Sequence, residues 1–100
     1  MKYKYLQSYH LTAISDYCKK KCIYIVINHH NDKSEELDYY RGLYSGYIHV
    51  KKLCKILKLQ RVSLTNKEFY EHLKHKKVDN ENYRGVVTAF YDIRSFVTTL

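Results

Sequence analysis

The spacing of apolar positions changes several times along the chain, and each change marks an expected element. Leu6, Tyr9, His10, Ala13, Ile14 and Tyr17 recur at helical spacing and predict a first helix over 6–20. The preceding residues, MKYKY, read as a loose arm or an edge strand. Cys22-Ile23-Tyr24-Ile25-Val26-Ile27 is rich in β-branched and aromatic side chains, which lose χ1 freedom in a helix and pack well on a pleated surface. It predicts a short buried strand, with a continuation of the first helix as the alternative. After a polar loop over 29–33, Ser34 offers an N-cap, and Glu35 and Glu36 fall in the positive first turn of a second helix. Leu37, Tyr40, Tyr44 and Tyr47 keep its period. Gly42 and Gly46 each weaken it by about 1 kcal/mol relative to Ala. A break near Ser45-Gly46 is therefore expected, with a new helix from Tyr47 or Ile48.

In that new helix Val50, Leu53, Cys54 and Leu57 form an apolar stripe, with Lys51, Lys55 and Lys58 on the other side. Residues 59–64 read as a turn. Thr65-Asn66-Lys67-Glu68 is a capping box, and Leu64 and Phe69 occupy the positions of a hydrophobic staple. A helix over 65–76 follows, burying Phe69 and Leu73 and exposing Lys67, Tyr70, Lys74 and Lys77. Residues 78–82 carry turn chemistry. The run 83–91 then alternates, with Val86, Thr88 and Phe90 on one face and Val87, Ala89 and Tyr91 on the other, which predicts a strand. Residues 92–100 extend that strand or form a last short helix. The whole reads as one small α+β domain of three to four helices with a short β-sheet or hairpin.

Charge sharpens this picture. The chain has 100 residues and a formal net charge of +8. Residues 50–77 hold nine Lys or Arg against Glu68 and Glu71, so nearly all of that excess sits on one expected helix pair. A basic helix pair on a near-neutral scaffold points to a polyanion, with nucleic acid ahead of a membrane surface or an acidic protein. The candidate contacts are Lys51, Lys52, Lys55, Lys58, Arg61, Lys67, Lys74 and Lys77. Tyr70 is a candidate stacking ring, with Tyr83 and Tyr91 as further ones. For Tyr24, Tyr40 and Tyr44 core filling is the preferred reading, because Phe is scarce and Trp absent. Arg, the usual reader of guanine, is also scarce, so sequence-specific duplex reading is disfavoured.

The order helix, strand, helix, helix, turn, strand resembles a winged helix-turn-helix domain. The residues that carry the resemblance are Leu53-Cys54-x-x-Leu57-x-Leu59, Phe69-x-x-x-Leu73 and the segment Tyr83–Tyr91. It implies that the second helix of the pair is presented to nucleic acid and that the β segment is a wing, with Arg84 near it. The turn is longer than in the tight form of that motif and lacks its glycine. In size, basicity and order the chain is also similar to the small accessory proteins encoded beside a family A DNA polymerase in staphylococcal cassette chromosomes. That resemblance implies binding to single-stranded DNA and a polymerase as partner, in replication or regulation of a mobile element.

The same sequence admits rival readings. Exposed Tyr suits protein interfaces, so Tyr39, Tyr40, Tyr44 and Tyr47 define an alternative role as a phage or mobile-element inhibitor or adaptor. Cys18-x-x-x-Cys22 with His29 and His30 raises a zinc site, but the spacing fits no zinc signature and three lysines separate the thiols. His29-His30-Asn31-Asp32 raises phosphodiester cleavage, but no second cluster supplies the remaining roles. No enzyme activity, metal or cofactor is expected. The longest apolar run is too short to span a membrane, no leader sequence is visible and cysteines are few, which predicts a cytoplasmic protein.

Overall fold

The computed structural model describes residues 4–29, 34–61, 63–74 and 80–100. These form, in order, β1 (Tyr5–Leu6), α1 (Ser8–His29), α2 (Ser34–Gln60), β2 (Leu64–Thr65), α3 (Asn66–Glu71) and α4 (Glu81–Thr98). The architecture is predominantly helical. The expected α+β, winged-helix-like fold is overturned, because both of its strand segments are helical. Residues 22–27 complete α1, and 83–91 lie inside α4, where the wing was expected. Residues 92–98 continue that helix.

The reason lies in which side chains reach the core. Along α1 the buried residues are Leu11, Ile14, Cys18, Cys22 and Ile25, spaced by three or four. Along α4 they include Val86, Ala89, Phe90, Ile93 and Val97, with the same spacing. A stripe of that period faces one neighbour only if the backbone is helical. Packing of that stripe outweighs the β propensity of the intervening residues, which amounts to less than about 1 kcal/mol each.

α2 lies between α1 and α4 and packs on both. It is antiparallel to α1: Lys58 Nζ donates to Thr12 Oγ1 at 2.5 Å at one end, and the His29 and Tyr40 rings stack at 3.5 Å at the other. It runs parallel to α4, with Gly42 beside Asn82 and Gly46 beside Ala89. The expected break at Ser45-Gly46 is absent, and α2 runs unbroken through both glycines. Their weakness as helix formers is offset by closeness to α4. A Cβ on Gly42 would collide with the Asn82 carbonyl, and one on Gly46 would lie 2.7 Å from the Ala89 Cβ. From the opposite side, a Cβ on Gly85 would collide with the Tyr39 carbonyl. The two backbones therefore meet with almost no side chain between them.

Farther along, the Asp92 carboxylate joins three helices. It accepts from the Tyr17 hydroxyl of α1 at 2.6 Å and from the Tyr47 hydroxyl of α2. Burial, then the hydrogen bond to Asp92 and its negative charge, push both phenols well above the ordinary tyrosine range. The three cysteines are buried core thiols. Desolvation raises all of them, Cys54 to about 12.

The remaining elements form a clip. β1 pairs antiparallel with β2, Tyr5 opposite Thr65 and Leu6 opposite Leu64. The buried Asn66 extends it, its amide donating to the Lys4 carbonyl at 2.9 Å. α2 ends at Gln60, and the next residue, Arg61, has a left-handed φ of 53°.

Two outcomes follow for stability. Gly-to-Ala changes in helices ordinarily stabilise, but Gly85→Ala should destabilise by about 2–3 kcal/mol in urea titration, because a backbone carbonyl occupies the site of the methyl group. The raised phenols favour folding while they are neutral. Their contribution is complete below the unfolded tyrosine value of 10.0 and is lost as pH climbs above it. Unfolding free energy should therefore fall steeply beyond pH 10. Tyr47→Phe should cost about 1.5–3 kcal/mol at pH 7 and flatten that alkaline decline.

Candidate nucleic-acid interface

α3 is only six residues long, too short to persist without support. Its start is fixed by the capping box anticipated from sequence. The Glu68 amide donates to Thr65 Oγ1 at 3.2 Å, and the Thr65 amide donates to Glu68 Oε1 at 3.2 Å. Phe69 and Leu73 are buried beneath it. These anchors turn Lys67 and Tyr70, and Lys74 just beyond the helix, toward α4.

α4 supplies the facing wall. Asn80 caps it, Oδ1 accepting from the Tyr83 amide at 2.8 Å. Tyr83, Val87, Phe90, Tyr91 and Arg94 then follow at helical spacing, Phe90 also reaching the core, where its ring lies 5.8 Å from that of His49 of α2. Together with Lys67, Tyr70, Glu71, Leu73 and Lys74 they line one groove. Its charged groups are three cations and one carboxylate, and Glu71 is held by Lys74 at 2.9 Å. That pair is solvent-exposed and worth at most about 1 kcal/mol.

The rings in this groove differ in role. Tyr70 is half-buried and held in place: its hydroxyl shares a hydrogen bond with Thr98 Oγ1 at 3.2 Å, and the Arg94 guanidinium lies 5.0 Å from its ring centroid. That separation is within the range of a cation–π contact. Tyr91 is 63% exposed and is the more accessible surface for a flat ligand. The groove thus combines positive charge, a fixed aromatic wall and an open ring. Such a surface can neutralise phosphates and stack bases.

No family model, curated protein or solved structure matches the chain.

The candidate residues of the sequence divide between surfaces. Lys67, Tyr70 and Lys74 meet in the α3–α4 groove. Lys51, Lys55 and Lys58 line a different groove, between α1 and α2. Lys52 and Arg61 are exposed and belong to neither. Arg84 is exposed on α4, pairs with Glu81 at 3.4 Å and lies two turns before Tyr91, so it borders the groove rather than a wing. Lys77 lies outside the described residues, as do His30, Asn31 and Asp32. Among the described residues no group of three or more His, Cys, Asp or Glu is arranged to hold a metal.

Sequence reasoning misses Arg94 and puts Tyr83 and Tyr91 on a strand. Reading 83–91 as an alternating strand ended the pattern before Arg94. The spacing 83, 87, 90, 91, 94 was the available signal. Of the tyrosine set 39, 40, 44 and 47, Tyr40 and Tyr44 line one groove with Ile25, Val26 and His29 of α1, Tyr39 is half-buried and Tyr47 is buried. Tyr24, expected in the core, is 59% exposed.

The cap is the groove's most local support. Thr65→Ala should cost about 1 kcal/mol of stability and speed amide exchange in 66–71 before the rest of the protein. Hydrogen exchange resolved to that segment measures it.

Proposed function

We propose that the protein binds single-stranded nucleic acid through the α3–α4 groove, as a binding module rather than an enzyme. The observation that carries this reading is the convergence of Lys67, Lys74 and Arg94 with Tyr70, Tyr83 and Tyr91 between the consecutive helices α3 and α4. Cations alone would suit any polyanion. Rings between them favour a ligand with both phosphates and exposed bases, which single strands offer and duplexes hide. Scarcity of Arg argues against reading a specific sequence. DNA is the first form to test. A place in the replication or regulation of a mobile element, beside a polymerase, rests on resemblance in size and basicity, since the winged-helix order that accompanied them is not the fold.

The test is affinity for oligo-dT across salt concentrations, by fluorescence anisotropy. The parent should lose affinity steeply with salt. The triple variant Lys67→Ala, Lys74→Ala, Arg94→Ala should reduce the log–log salt slope by about 2, in line with three lost phosphate contacts. Its melting temperature should stay within about 4 °C of the parent, as for surface changes generally. Tyr91→Ala should weaken single-strand binding by about 1–3 kcal/mol. Parent-like affinity and slope in the triple variant would remove this groove from consideration.

A further inference from the structure

The second groove, between α1 and α2, has a different chemistry and a gradient along its length. At one end Ile23, Val26 and Ile27 of α1 face Tyr44 and Ile48 of α2. These three aliphatic side chains are 50%, 54% and 66% exposed. They share one helix face with Lys19, and their neighbours Cys22 and Ile25 point into the core. A contiguous, concave aliphatic surface of this kind marks an interaction site more often than a scatter of single exposed residues does. At the other end Lys51, Lys55 and Lys58 of α2 line the groove, with Asp16 as the carboxylate among them. Lys58 donates to the neutral hydroxyl of Thr12. Lys51 lines both parts, so the aliphatic and basic ends form one continuous track.

We infer that this track docks an acidic amphipathic helix of another protein. Its aliphatic side chains lie against Ile23, Val26 and Ile27, and its carboxylates against Lys51, Lys55 and Lys58. Two antiparallel helices leave a channel into which a third helix fits by ordinary ridge-and-groove packing. Charge complementarity selects the occupant. A second copy of this chain would carry its own lysines and a net charge of +8 to the site. A carboxylate-bearing segment satisfies the basic end and covers the aliphatic end at once. The recess between α1 and α2 favours a helix over a flat lipid surface, because Tyr44 and Ile48 face the α1 aliphatics from the opposite wall. The assignment is independent of the α3–α4 groove, which shares no residue with it.

The experiment uses the whole protein and a fluorescein-labelled synthetic helical peptide, leucines at i, i+3, i+4 and i+7 in its first half and glutamates throughout its second. Binding is expected in the micromolar range, as for helix-in-groove encounters of modest area. Ile27→Lys should weaken it about tenfold or more. Lys51→Glu with Lys55→Glu should weaken it and reduce its salt dependence, because both remove charge attraction at the basic end. At salt high enough to screen charge between the grooves, both variants should keep the parent's oligo-dT affinity, which separates this assignment from the nucleic-acid proposal. Four results would overturn it: no peptide binding, equal binding of a peptide with lysine in place of glutamate, a dimer in sedimentation that Ile27→Lys dissociates, or capture by phosphatidylserine vesicles that Ile27→Lys abolishes.

Discussion

The approach of α4 to α2 is the contact on which the other arrangements depend. All three glycines of the chain, Gly42, Gly46 and Gly85, lie in it, with Ala89 completing the small-residue face of α4. Each glycine gives up about 1 kcal/mol of helix propensity, and close contact of two backbones along several turns offsets it through dispersion and apolar burial. The approach fixes more than distance. With Gly85 seated on Tyr39 and Leu43, Asp92 two turns later comes level with Tyr47, and within reach of Tyr17 across α2. The opposite side of α4 is turned outward at the same time. That side carries Tyr83, Tyr91 and Arg94.

The polar tie at Asp92 and the clip at β1–β2 address the weaknesses of a small core. A carboxylate drawn between three helices costs desolvation energy, which two phenol donors and the Lys21 amine at 3.9 Å help to offset. Among the described residues no buried side-chain polar atom lacks a partner. α3 depends on such ties more than any other helix. Six residues cannot form a helix by propensity, so its position comes from Phe69, the capping box and the pairing of β2 with β1. One wall of the α3–α4 groove is thus set by glycine packing, and the other by a cap and a two-residue strand pair.

Features encoded within a few residues were legible before the fold. The capping box needs only Thr65 and Glu68 in the right order, and Ser34 marked the start of α2. Features that depend on a distant partner were not. Nothing near Gly42 or Gly46 announces Asn82 and Ala89, so both glycines read as breaks. The stripe Leu11, Ile14, Cys18, Cys22, Ile25 was present in the sequence, but the aliphatic residues between its members obscured it. Ile23, Val26 and Ile27 are apolar and exposed, and they made a helix with one buried face look like a strand buried on both. The same degeneracy affected 83–91, where Val87, Phe90 and Tyr91 line a groove, so their polarity does not separate inside from outside.

The concentration of charge over 50–77 is therefore not one surface. α2 sends Lys51, Lys55 and Lys58 toward α1, whereas Lys67 and Lys74 face α4, and the body of α2 stands between. A single ligand that used both sets would have to wrap around the domain rather than lie on it. Two ligands, one in each groove, need only the helices that already form the core. α2 then acts as a rigid strut between them. At the glycines its contact with α4 is backbone against backbone, with no long side chains to adjust, so it resists small displacements there. Occupation of one groove should leave the geometry of the other unchanged. Coupling between the grooves would have to come from the charge they share, which acts through solvent and weakens with salt, rather than from a shift of helices.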